Sequence, residues 1–141
     1  MFGLICLLFK IKKKDFMSFA IKPNLQLIYV SDIDRSTKFY TMLFKTQPVF
    51  VSPRYVAYSA GGDEAMFALW SGSERKPDLT IPRFGEIGIG LTSNQEVDLL
   101  AEEWKKNTAI KFLEEPRTEV FGRTFVIQDP DGHLIRVAPR D

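Results

Sequence analysis

The 141-residue sequence holds one cysteine, Cys6, and one histidine, His133. A lone cysteine excludes a disulfide framework and suits a reducing compartment, so a cytoplasmic location is expected. One Cys and one His do not supply the four ligands of a structural zinc site. Any Ser-His-Asp or Cys-His arrangement must run through His133. No run of about 18 apolar residues exists, so no membrane-spanning helix is expected. A basic surplus is missing as well, because 19 basic residues face 18 acidic ones for a net +1. Nothing there neutralises a phosphate backbone, and nucleic acid is not an expected partner. At 45% hydrophobic and 13% aromatic the chain lacks the low hydrophobicity of disordered sequences. It has the composition of one globular domain with a substantial core.

The N-terminal extension, residues 1–16, does not fit the domain. Met1 to Phe9 is apolar and Lys10 to Lys14 is basic, the reverse order of a secretory signal. Two readings stand: a weak membrane-surface anchor, or an upstream translation start with Met17 as the native one. The extension carries four Lys and one Asp, which leaves the remaining residues at −2. The domain proper, residues 17–141, therefore has still less reason to seek nucleic acid.

That domain reads as one pattern written twice. Leu25 to Val30 is a β run, after which Asp32 or Ser31 caps a helix over Ile33 to about Phe44. Strands are predicted at Val49–Ser52, Arg54–Ser59 and Ala65–Ser71, with Gly61-Gly62 in a hairpin turn rather than a phosphate loop. Gly72 to Pro82 is rich in Gly, Ser, Lys and Pro and reads as a linker. The second copy opens with the alternating strand Glu86 to Leu91. Ser93-x-x-Glu96 is a capping box, and Val97, Leu100, Ala101 and Trp104 mark one face of a helix ending near Asn107. Strands are predicted at Ile110–Glu114 and Thr124–Gln128, with an extra hairpin arm near Thr118–Phe121. Asp129-Pro130-Asp131-Gly132 is a turn, and His133 to Val137 the last strand. The expected architecture is α+β: two tandem βαβββ modules, about 23–71 and 83–139, joined by a linker at 72–82. Two curled sheets with helices outside enclose a cleft, where a ligand belongs.

Val30-Ser31-Asp32-x-x-x-Ser36-x-x-Phe39-Tyr40 and Asp129-Pro130-Asp131-Gly132-His133-Leu134-Ile135 resemble the two signatures of the glyoxalase, bleomycin-resistance and extradiol-dioxygenase superfamily. The resemblance covers Pro23 to Pro139. Further segments, among them Pro53-Arg54-Tyr55-Val56-Ala57, Leu69-Trp70-Ser71-Gly72 and Ile81-Pro82-Arg83-Phe84, are similar to its phenazine-resistance branch. That similarity implies metal-independent binding and sequestration of a planar phenazine antibiotic of the griseoluteate type. It also implies a homodimer in which modules of two chains complete each cleft. The superfamily's metal-ligand positions map to Leu25, Ala68, Glu86 and Arg136, of which only Glu86 carries a ligating donor. The expectation is therefore no metal and no cofactor. His133 belongs to the C-terminal signature and reads as a turn residue.

Alternation places Ile87, Ile89 and Leu91 toward the helices and Glu86, Gly88 and Gly90 toward the cleft. Two glycines on that face leave bare backbone for a flat ring, or serve close packing between the sheets. Trp70 beside Ala68 is a stacking candidate, or a core residue. Tyr29 adds an edge contact, and Phe121 beside Gly122 closes over the ligand. A ligand carboxylate needs a cation. Arg136 and Arg83 are the candidates, although Arg136 equally suits an ion pair with Glu86, and Arg83 a solvated place in the linker. No nucleophile with an adjacent base is legible, and Asp129 and Asp131 are read as turn caps. The alternative is an enzyme of the same superfamily that modifies a small aromatic substrate with Glu86 as general base.

Overall fold

The structure is a computed structural model that describes residues 21–62, 64–81 and 83–140. The extension 1–16, Cys6 and Met17 lie outside the described residues. The first module runs β1 (Leu25–Tyr29), α1 (Ile33–Phe44), β2 (Phe50–Val51), β3 (Tyr55–Ser59) and β4 (Met66–Trp70). The second runs β5 (Glu86–Leu91), α2 (Asn94–Lys105), β6 (Lys111–Glu119), β7 (Gly122–Gln128) and β8 (Leu134–Pro139). Each forms a four-stranded sheet, ordered β1-β4-β3-β2 and β5-β8-β7-β6. The first strand pairs parallel to the last, because the helix carries the chain across the sheet; the other pairings are antiparallel.

Capping is local chemistry in both helices. Asp32 accepts from Arg35 N at 3.0 Å and opens α1. Ser93 Oγ accepts from Glu96 N at 3.1 Å and opens α2. The reciprocal arm of the expected capping box is displaced by one residue: Glu96 Oε1 accepts from Thr92 N at 2.8 Å. Each helix buries one stripe: Ser36, Phe39, Tyr40 and Leu43 in α1, and Val97, Ala101 and Trp104 in α2. These pack on the inner strand residues Val56, Tyr58, Phe67 and Leu69, and Phe125, Ile127, Ile135 and Val137. Burial of such side chains contributes about 1.5–3 kcal/mol each.

Two expectations need correction. The extra hairpin arm does not exist as a separate strand. Ile110–Glu114 and Thr118–Phe121 were expected apart, but Lys111–Glu119 is one strand broken by two register shifts. A bulge accommodates Pro116, which has no N–H to give the ladder. The last strand starts at Leu134 rather than His133, because Asp129 Oδ1 takes the His133 N–H at 2.8 Å. Side chains at their ends join the two helices: Lys45 Nζ donates to Glu103 Oε1 at 2.7 Å and Asn107 Nδ2 donates to Met42 Sδ at 2.9 Å. Their inner faces belong to one core shared by both modules. The sheets themselves do not close: among the described residues no strand of one contacts a strand of the other.

Candidate functional site

The surface of each sheet turned away from its helix is the candidate binding face. In the first sheet, register aligns Tyr29 with Trp70 and Trp70 with Tyr55 across three strands. Tyr29 and Trp70 meet edge to face at 6.0 Å, and Phe50 meets Tyr55 at 5.9 Å. Tyr29, Trp70 and Tyr55 thus form a row at one end of the face, and Phe50, in register with Ala57, leans its ring onto that row from the next one. The next row is Leu27, Ala68 and Ala57. Ala68 is wholly covered and forms the floor beside the aromatic row. A Cβ on Gly72 would stand 2.5 Å from Trp70 Nε1, so the glycine lets the indole lie over the chain after β4. Tyr55 and Phe50 were not among the sequence candidates. Period-2 alternation in β3, with Val56 and Tyr58 inward, was the signal that finds Tyr55.

In the second sheet Ile87 and Ile89 pack against the core while Glu86, Gly88 and Gly90 are exposed on the other face, as alternation requires. A Cβ at Gly88 meets nothing within 4 Å, so this backbone is open. Gly90 is different, because Arg140 Cβ lies 3.1 Å from the place its own Cβ would take. Arg136 donates from Nε to Glu86 Oε2 at 2.7 Å and from Nη1 to Thr124 Oγ1 at 3.1 Å. Of its two readings, the ion pair is the one present.

Arg83, expected as a ligand cation or a solvated linker residue, is engaged by the chain itself. Its guanidinium donates to Asp131 O at 2.6 Å and Gly132 O at 3.2 Å and so fastens the linker to the β7–β8 turn. Gly132 has φ +88°, and a Cβ there would strike Leu79, so this turn position requires glycine. Phe121 is half exposed at the β6–β7 turn. Within one chain, Tyr29, Ala68 and Trp70 share one face, and Glu86, Gly88, Gly90 and Arg136 share the other. A groove of about 660 Å³ separates the modules, with Ile28, Phe44 and Phe67 on one side and Glu86, Ile87 and Gly88 on the other.

The two signature motifs are a joint between the modules. Ser31 N donates to Asp131 Oδ2 at 3.0 Å, and Arg35 Nη2 reaches Asp131 Oδ1 at 3.0 Å. Tyr40 Oη donates to Asp129 Oδ2 at 2.7 Å, and His133 Nε2 meets Tyr29 O at 2.7 Å. Burial pushes Asp129 above the usual carboxylate range, against the pull of His133 and of hydrogen bonds from Tyr40, His133 and Asp131. Burial, and then the Asp129 charge, push Tyr40 well above its ordinary value, so the phenol stays protonated and donates. Asp129 and Asp131 therefore do more than cap a turn. Their partners are about 90–100 positions away in sequence, a distance no local pattern reports.

Metal ligation does not fit this donor set. Of the four mapped positions, Leu25 and Ala68 carry no donor, and Arg136 engages the Glu86 carboxylate. Among the described residues no group of three His, Cys, Asp or Glu side chains is placed to hold an ion. Among the same residues no helix is long and apolar enough to cross a membrane.

The sequence profile of the Glyoxalase/Bleomycin resistance protein/Dioxygenase superfamily matches residues 22–137. The chain is 57% identical over 124 residues to the phenazine antibiotic resistance protein EhpR of Enterobacter agglomerans, covering 86% of this chain and 95% of that one. Among solved structures, protein ATC0852 of Agrobacterium tumefaciens superposes with a TM-score of 0.70 at 28% identity, over 86% of this chain and 99% of that one. A glyoxalase-related enzyme from Fulvimarina pelagi shares the fold, with a TM-score of 0.70 at 20% identity, over 86% of this chain and 89% of that one. The chain belongs to the glyoxalase/bleomycin resistance protein/dioxygenase superfamily.

Proposed function

We propose that this protein confers antibiotic resistance by binding and sequestering a planar phenazine of the griseoluteate type, without metal and without changing it. The observation that carries the reading is the 57% identity, along nearly the whole domain, to a phenazine antibiotic resistance protein. Two features support it. The row Tyr29, Trp70 and Tyr55, with the Phe50 ring against Tyr55, offers aromatic faces and edges to a flat ring. Gly88 offers bare strand backbone on the other sheet.

The two faces do not meet within one chain, since the sheets share no strand contact. A homodimer, in which the first sheet of one chain faces the second sheet of its partner, completes two equivalent clefts. Exposed apolar side chains along the free edges and linker, among them Val49, Phe50, Ile81 and Phe84, suit burial in such an assembly. Glu86, the general base of the enzymatic alternative, faces Arg136 rather than standing free toward a substrate.

Calorimetric titration with a phenazine, followed by mass spectrometry of the recovered ligand, tests the reading. The expected result is one ligand per chain, unchanged in mass and insensitive to chelator. A changed mass means an enzyme, and no binding removes the reading altogether.

A further inference from the structure

One peptide group at the end of β1 is hydrogen-bonded from both modules. Strand β1 lies at a sheet edge and pairs with β4 alone. Asn24 O accepts from Met66 N at 2.8 Å and Val30 N donates to Trp70 O at 3.0 Å, so the even-numbered residues turn their backbone groups toward β4. Those groups alternate along a strand, and the ones of Leu25, Leu27 and Tyr29 therefore point to the open edge. Tyr29 O has no ladder partner there. His133 supplies one, with its Nε2 at 2.7 Å. A carbonyl oxygen only accepts, so Nε2 carries the proton. The main chain of His133 is itself held on both sides by Asp129. Asp129 Oδ1 accepts from His133 N at 2.8 Å, and Asp129 N donates to His133 O at 2.9 Å. The Tyr29–Val30 peptide is thus clamped on its C=O by the β7–β8 turn and on its N–H by the Trp70 carbonyl.

We propose that His133 is a positioning residue for ligand binding: through this peptide it sets how the Tyr29 ring stands against Trp70. The inference rests on the reading that a phenazine stacks on the aromatic row. Tyr29 and Trp70 are partners in register, and their rings meet edge to face at 6.0 Å. The clamped peptide is a rigid plane that ends on the Tyr29 Cα, so a rotation of the plane swings the side chain that the Cα carries. Without the His133 donor, Tyr29 O is unpaired on an edge strand, and the peptide turns to find another donor. Stacking depends on the offset and tilt of the rings, so such a turn lowers the fit of a flat ligand. The other bonds of the joint act elsewhere. Asp131 holds Ser31 and Arg35, and Asp129 holds Tyr40, none of which belongs to the aromatic row.

The chain has one histidine and two tryptophans, so each is a separate spectroscopic probe. In nitrogen-15 spectra at mildly alkaline pH, the wild-type imidazole is expected as the Nε2–H tautomer. His133→Phe keeps a ring and removes the donor. It should shift the Trp70 indole N–H resonance, while that of Trp104, buried against Phe125, holds. It should also weaken binding of a phenazine carboxylate about fivefold or more in calorimetric titration. His133→Gln carries an amide N–H at similar reach and should bring affinity back to within about twofold of wild type. Tyr40→Phe loosens the same joint at Asp129 without touching Tyr29, so its melting temperature should fall while its affinity holds. If His133→Phe fails to fold, His133→Asn takes its place: its shorter amide stops near the Nδ1 position and should lose affinity likewise. An Nδ1–H tautomer overturns the proposal. So does unchanged affinity without the donor, a glutamine variant as weak as the phenylalanine one, or an equal loss in Tyr40→Phe. In those cases the wild type still binds the phenazine, and the proposed function stands. No binding by the wild type removes the proposed function and this inference together.

Discussion

Replacing Asp129 tests the joint between the modules directly. Its carboxylate accepts from Tyr40 Oη at 2.7 Å, His133 N at 2.8 Å and Asp131 N at 2.9 Å. Tyr40 has no exposed surface and Asp131 very little, so water does not replace the lost acceptor. Each stranded donor costs about 1–3 kcal/mol. Part of that sum is offset, because the alanine variant no longer buries a carboxylate. Asp129→Ala should therefore lose about 3–5 kcal/mol, a large share of a stability that is typically 5–15 kcal/mol. Asp129→Asn keeps an acceptor for both backbone N–H groups, and its amide can donate to the Tyr40 oxygen. The Tyr40 O–H then loses its acceptor, so the cost should be about 1–3 kcal/mol, offset in part because no carboxylate is buried, and smaller than that of alanine. The pH dependence separates the two further. Asp129 has a folded value raised above its ordinary 3.8, so its contribution to stability is full below 3.8 and is lost as pH rises through the folded value. The stability of the wild type relative to Asp129→Asn should therefore fall as pH increases across that window. Urea denaturation at several pH values, read as midpoint shifts at constant slope, measures all of this. An alanine variant as stable as the wild type would refute the reasoning, and so would an asparagine variant as damaged as the alanine one.

Other outcomes follow from the same geometry. Trp70→Ala should weaken phenazine binding about tenfold or more, because it removes both ring area and stacking; titration of a folded variant checks it. Gly88→Val adds methyls into open space, so melting temperature should hold while binding falls steeply. Ile87→Ala should do the opposite, losing about 1–3 kcal/mol of stability with affinity nearly kept, since Ile87 packs on the core only in part. Light scattering should give a dimer, and a monomer at working concentration would remove the shared cleft.

How much was legible in advance differs by element. Both helices and most strand positions follow from local rules, because periodicity and capping are properties of neighbours in the chain. The faces of β5 are of this kind: a strict two-residue alternation separates Ile87 and Ile89 from Glu86 and Gly88 whatever surrounds them. The superfamily was legible too, since the motif spacings at Ser31–Tyr40 and Asp129–Ile135 are local as well. What the motifs are for was not. Asp129 and Asp131 looked like turn residues, and only folding brings Tyr40 and Ser31 against them. Arg83 looked like a linker cation until the turn carbonyls it binds were in place. The direction of Glu114 and Arg117 depended on where β6 slips against β7, and that register is set by packing between strands distant from the sequence cues. Sequence alone determined the helices and most strands of each module, because periodicity and capping act a few residues apart. The joint and the unclosed sheets were decided by tertiary structure, because each depends on groups that meet only when the halves do.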